Sequence, residues 1–358
     1  MLLAALVVLG RLFTMPTPHR APDSGKGPLA LVPTWSGPPP ASQDGTLADG
    51  TAYVPRIYLD AETSVGIAPT RDARQVRVLL RTNARLTELR RVTATDHPQF
   101  DGFTASGDDV LWAESISRTD VPVHTSIWRA NWRTGSRPAL VTSGTGEADF
   151  FQSEYDLVIN GGQVYWVAVG AGGSPVTEVR SVPLRGGQVS VKRLPGVYGL
   201  SAWPWAVTVS GGRGTPVELV NFSSGQRVKV ATSAVEVAAC SPQWCRVGVL
   251  GPSALGDEGF VRIDLLRPDG TQRRRVAGGE ATPATTDVVL IGRFLPLITD
   301  RGNGDGTVGL SLYDIASDRT DLVAVGVSNV QARDGVIWWS TGPAEGLTWY
   351  AIDLRTLP

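Results

Sequence analysis

The residues that could carry chemistry in this sequence are few and scattered. Histidine, the commonest general base, occurs three times, as His19, His97 and His124. His19 lies among prolines, His97 precedes Pro98 in a connection, and His124 sits in a proline-flanked loop, so none is placed like a base supported by a second group. No GxSxG nucleophile elbow occurs; GLSAW at 199–203 and GPSALG at 251–256 come nearest. A phosphate loop and paired histidines are also missing. Five carboxylates, Asp108, Asp109, Glu114, Glu154 and Asp156, could converge in a cleft as the acid and base of a glycosidase. As solvated turn residues they need no such convergence.

One glycine-rich loop has sharper chemistry. TDRGNGDGTVGLSLYD, 299–314, places Asp300, Asn303 and Asp305 where they offer hard oxygen ligands to calcium. It lacks the glutamate of the twelve-residue calcium motif and its flanks read as strands, so a long hairpin loop uses the same glycines equally well. No other cofactor is called for. Cys240 and Cys245, in CSPQWC, are expected to close a small disulfide loop, given their close spacing in a chain read as exported, with two unpaired buried thiols as the alternative; two ligands do not complete a tetrahedral metal site. Trp203 and Trp205, in WPW, are the aromatic pair best placed for stacking on a ligand.

The elements that must position these residues follow from composition and period. The chain has 358 residues, 42% hydrophobic and 19% charged, which is ample for a large core. With 33 basic and 34 acidic residues the net charge is −1, so no global field draws in nucleic acid. Lysine occurs only at positions 26, 192 and 229, an arginine bias that fits a GC-rich bacterial genome. MLLAALVVLG opens the chain and is too short to span a bilayer alone, since ten helical residues cover about 15 Å of roughly 30 Å. We read residues 1–14 as a hydrophobic anchor or truncated signal, 15–50 as a Pro/Gly-rich linker, and 51–358 as the folded body.

Beyond Thr51 no helical period is sustained; short alternating runs rich in Val, Leu, Ile, Thr and Trp are cut by glycine or proline. GDDVLWAES, GGQVYWVAVG and DGVIWWSTG repeat one pattern, a glycine turn followed by an aromatic strand. A second strand, a tight turn and a third strand come next in each unit. The turn positions Gly135, Gly186, Gly225, Gly270 and Asp318 are separated by 51, 39, 45 and 48 residues, and Asn83 stands 52 before the first. Such a period, with four short strands per unit, predicts an all-β fold, a single β-propeller of seven blades, with six as the alternative. The last unit stops at Pro358 one strand short, so an N-terminal strand should close it, for which TAYVPRIYLD at 51–60 is the natural donor. Trp112, Trp166, Trp205, Trp244 and Trp338 would then fill the wedges between blades.

DGVIWWSTGPAEGLTWYAIDLRT and YDIASDRT resemble repeats of TolB-like, quinoprotein-like (WD40-like) propellers. VNFSSGQR and VPLRGGQV depart from that pattern by lacking the aspartate before the turn. The resemblance implies a fold and not a chemistry. The expected function is a non-catalytic extracytoplasmic binding scaffold, membrane-anchored or secreted and monomeric. It would hold a protein, peptide or cell-wall polymer on its face and reach the membrane through its N-terminal segment. A carbohydrate-active or quinone-dependent enzyme of the same fold is the alternative, and buried carboxylates clustered at the channel mouth would favour the glycosidase.

Overall fold

Within Gln163–Val169 the side chains alternate with the strand pleat: Val164 and Trp166 turn to one neighbouring sheet, Tyr165 and Val167 to the other. The same alternation sends Leu111 and Trp112, or Trp338 and Trp339, to opposite sides of their strands. A sheet that is apolar on both faces must be covered on both faces, and a ring of sheets does this without a free end. The computed structural model describes residues 33–358, except 84, 120, 173–174, 210–211, 253–257, 301–306 and 344–345.

The chain is a seven-bladed β-propeller. Blade 1 spans residues 54–93, blade 2 99–142, blade 3 147–195, blade 4 198–230, blade 5 236–278 and blade 6 281–325; blade 7 combines 328–353 with 41–44. Every blade is an antiparallel meander whose first strand lies innermost, and the helical content of the described residues is two 3-10 turns, Ala94–Asp96 and Leu354–Thr356. The turns aligned in the sequence are real turns: Gly135, Gly186, Gly225, Gly270 and Asp318 all have positive φ, between 54° and 90°. Gly161 and Gly162, which open the aromatic strand of blade 3, also have positive φ, 56° and 73°.

Seven apolar wedges hold the ring together. Trp112 and Phe103 fill the space between blades 1 and 2, Trp166 that between 2 and 3, Trp244 that between 5 and 6, Trp339 that between 6 and 7, and Trp338 that between 7 and 1. Trp112, Trp166 and Trp338 are fully buried, which contributes about 1.5–3 kcal/mol each.

The seam corrects one expectation. The strand that closes blade 7 is Ala41–Asp44, with Ala41 opposite Ala351 and Asp44 opposite Thr348, and not the segment 51–60. Val54–Tyr58, within that segment, is the innermost strand of blade 1 and pairs with Ser64–Pro69. The folded body therefore starts inside the stretch read as linker: Thr34 and Trp35 already donate their amides to Leu322 of blade 6, and Leu47 is buried. Hydrophobic pattern missed this strand because ASQD is short and polar. Its buried residue is Gln43, whose amide donates to the Glu62 carbonyl and accepts from Ser64. The expected anchor, 1–14, and the linker up to residue 32 lie outside the described residues.

Candidate functional site

The innermost strand of blade 3 is broken into Glu147–Ala148 and Val158–Asn160, both of which pair with Gln163–Val169. Between them residues 149–157, DFFQSEYDL, leave the sheet and cross the ring axis. Hydrophobic side chains anchor the crossing: Leu157 is buried between blades 2 and 3, while Phe151 and Tyr155 pack between blades 3 and 4. Its tip reaches the far side of the ring, where Ser153 Oγ donates to Asp287 Oδ1 at 2.6 Å and the Glu154 amide donates to Asp287 Oδ2 at 2.8 Å. Arg333 of blade 7 donates to the Ser153 carbonyl at 2.5 Å and to the Phe103 carbonyl of blade 2 at 3.3 Å. The Asp334 amide donates to Glu154, and the Ala105 amide donates to Asp334. Blades 2, 3, 6 and 7 are thus tied through one plug across the axis.

The plug separates two axial cavities. Along the inner strand of blade 2, residues 100–103 line the first and 104–106 the second; along blade 7, residues 330–333 and 334–335 divide in the same way. The second cavity, about 360 Å³, is lined by Glu154, Tyr155, Asp334, Ser106, Ser241 and Gln243 together with apolar chain. A third space of about 320 Å³, beside the plug and against blades 4 to 6, is mainly apolar.

The first cavity, about 230 Å³, is the most charged. Arg56 of blade 1, Asp101 of blade 2, Asp156 of the plug, Asp287 of blade 6 and Arg333 of blade 7 line it, with Gln152 and Gln331. Asp156 is 4% exposed; its Oδ1 accepts from the Phe151 amide at 2.8 Å, and its Oδ2 makes no hydrogen bond but forms a long ion pair with the Arg333 guanidinium at 4.0 Å. Arg56 Nε is buried without an acceptor. Arg246, on the second strand of blade 5, is also buried but has acceptors, donating to the carbonyls of Thr285, Thr286 and Asp287.

Burial sets the electrostatics. It raises the Asp156 carboxyl to about 6, reinforced by the charges of Asp287 and Asp101, while the Phe151 amide and Arg333 pull the other way. Asp101 is raised by burial and Arg56 is lowered by burial, each partly relieved by the other's charge. Burial raises Asp334 to about 6 and Glu154 to about 8, the latter with the Asp287 charge acting in the same direction. Asp287 is itself raised by burial. Such a cluster is what binding and catalytic sites often contain.

Of the five carboxylates singled out in the sequence, Glu154 and Asp156 reach the axis. Asp108, Asp109 and Glu114 do not; they pair with Arg133, Arg129 and Arg90 on blades 1 and 2. Trp203 packs between blades 3 and 4 against Tyr165 and Phe222, with ring centroids 3.9 Å and 4.9 Å away, and Trp205 packs between blades 4 and 5; neither lines the cavities described. Asp300 ends the second strand of blade 6, opposite Val308, whereas Asn303 and Asp305 lie outside the described residues. Cys240 and Cys245 face each other across the first hairpin of blade 5, with sulfurs 2.07 Å apart. Sequence reasoning missed Arg56, Asp101, Asp287 and Arg333. Asp101, between Phe100 and Gly102, and Arg333, just before Asp334 and Gly335, stood beside glycine turns, whereas Arg56 in VPRIY and Asp287 in TTDVV carried no local signal.

No family model matches the sequence, and no curated protein matches it. Solved structures do match in fold. The β-propeller domain of the Trilobed protease from Pyrococcus furiosus, which has an open velcro topology, aligns with a TM-score of 0.50 and 12% identity, over 72% of this chain and 83% of that one. A puromycin-hydrolysing peptidase of Mycobacterium tuberculosis aligns with a TM-score of 0.51 and 13% identity, over 88% of this chain. This chain spans about half of that peptidase, 52% of its length. The class is therefore a propeller repeat protein, whose seam is hydrogen-bonded through Ala41–Asp44.

Proposed function

We propose that this propeller is a binding module that captures a protein, a peptide or a cell-wall polymer at the charged axial mouth, without turning it over. The observation that carries the reading is the division of labour among the buried charges. Asp287, Glu154 and Asp334 are used to hold the plug, while Arg56 and Asp156, whose side chains line the first cavity, each keep a buried atom without a hydrogen bond. Buried polar atoms without partners cost the free protein stability, and a ligand that satisfies them recovers that cost. The plug closes the cavity at its base, so a bound chain enters by an end or a side group. The apolar first ten residues, the proline-rich segment after them and the paired cysteines support a location outside the cytoplasmic membrane, on a tether or secreted.

The clustering of Asp101, Asp156 and Asp287 at one mouth favours the glycosidase as a second reading. Against it, both oxygens of Asp287 are already hydrogen-bonded to the plug. The test uses the purified chain on an array of immobilised peptides and on isolated wall polymer, with product release followed in parallel. Retention without product, lost in Arg56→Gln and Asp156→Asn but kept in the exposed-site control Asp72→Asn, supports binding. Saturable release of a sugar, abolished by Asp156→Asn, overturns it in favour of the enzyme.

A further inference from the structure

The charges left unspent at the axial mouth define the kind of molecule that fits. Among the described residues Arg56 donates no hydrogen bond and Asp101 accepts none, although both are largely withdrawn from solvent on the inner strands of blades 1 and 2. Asp156 of the plug lines the same cavity, more than nine-tenths buried, with one oxygen accepting from the Phe151 amide and the other without a hydrogen bond, 4.0 Å from the Arg333 guanidinium. Arg333, the remaining cation, is already committed to the Ser153 and Phe103 carbonyls. The mouth therefore offers a donor-only group and an acceptor-only group on different walls of one small cavity.

We propose that this cavity is a site for a small zwitterion, an α-amino acid or a very short peptide, with its ammonium group on Asp156 and its carboxylate on Arg56. The proposal rests on the reading of the mouth as a binding site and specifies its chemistry. An anion alone would satisfy Arg56 but face the carboxylates of Asp156 and Asp101, which Arg56 and Arg333 offset only in part. A cation alone would leave Arg56, whose charge Asp101 offsets only in part, without an acceptor, and a neutral sugar would neutralise neither charge. A zwitterion supplies both complements at once, through charge-assisted hydrogen bonds. Size agrees: about 230 Å³ holds about eight waters, or a molecule of roughly that many non-hydrogen atoms. Asp156 also confers a pH dependence. With Arg333 as its one opposing cation and Asp287 and Asp101 as like charges, it takes up a proton as the pH falls through about 6, and the ammonium then loses its acceptor.

Isothermal titration of the purified chain at pH 7.5 with glycine, alanine and glutamine, and with acetate, methylamine and glucose as controls, tests the assignment. The amino acids should bind saturably and the three controls should not. Asp156→Asn and Arg56→Gln should each weaken binding about tenfold to a hundredfold, with circular dichroism unchanged. Wild-type affinity should fall between pH 7.5 and pH 5. Binding of acetate, methylamine or glucose as tight as that of the amino acids overturns the proposal, as does full affinity in Asp156→Asn or no binding of any amino acid at millimolar concentration. If amino acids fail while retention of peptide or wall polymer still depends on Arg56 and Asp156, the mouth binds by another chemistry and this proposal falls alone.

Discussion

Replacing Asp156 with asparagine should make the free protein more stable. The carboxyl titrates at about 6 in the fold against 3.8 in water, chiefly because burial penalises the ion. Each pH unit of that displacement is worth about 1.36 kcal/mol, so above pH 6 the ionised side chain destabilises the fold by about 3 kcal/mol. The sign follows from linkage: between 3.8 and 6 the folded state binds the proton and the unfolded state does not, so stability falls as the pH rises through that window. Below 3.8 both states are protonated and the penalty is absent. Asparagine keeps an oxygen to accept from the Phe151 amide and removes the charge. Some charge-assisted strength of that bond is lost, so the expected gain is about 1–3 kcal/mol at pH 7.5, shrinking to nothing near pH 3.5. Urea unfolding of parent and variant, followed by tryptophan fluorescence at a series of pH values, measures it. A variant less stable than the parent at pH 7.5, or one whose gain does not change with pH, would refute the reasoning. A gain in stability together with the weakened binding expected of the same variant is what a trade-off between stability and function produces.

Two further outcomes follow from the frame. Deleting residues 33–45 removes the outer strand of blade 7 and the Gln43 bonds to blade 1, so the ring should lose cooperativity and self-associate through the exposed edge; size-exclusion chromatography that shows an unchanged monomer with unchanged urea midpoint would count against closure by this strand. Replacing Cys240 and Cys245 together with serine should cost roughly 2 kcal/mol for the short loop they close, and natively produced parent protein should yield no alkylatable thiol until it is reduced, a result that two reactive thiols before reduction would contradict.

The frame was legible because it repeats. Glycine and aspartate at positive φ, with a tryptophan near the inner turn in five of the seven blades, serve a tight hairpin and a filled wedge, so Gly135, Gly186, Trp112 and Trp338 could be placed from the sequence. The seam was less legible, because ASQD carries no hydrophobic alternation and holds its place through Gln43. The site was legible in part. Glu154 and Asp156 stood out as carboxylates, but Arg56, Asp101, Asp287 and Arg333 each look like an ordinary charge in a strand or connection, and the ring closure that gathers them at one mouth is a property of the whole chain. The broken inner strand of blade 3 had its own cue. DFFQSEYDL stands where the other repeats have a plain inner strand, and that extra chain is the plug.

The most direct test of the account is a crystal of the chain, grown near pH 7.5 and soaked with an amino acid that binds in titration. The account predicts new density in the cavity between blades 1, 2 and 7, with an ammonium nitrogen within hydrogen-bond distance of Asp156 Oδ2 and a carboxylate on Arg56. Density at saturation that lies elsewhere on the molecule, with only water between Arg56 and Asp156, would contradict it.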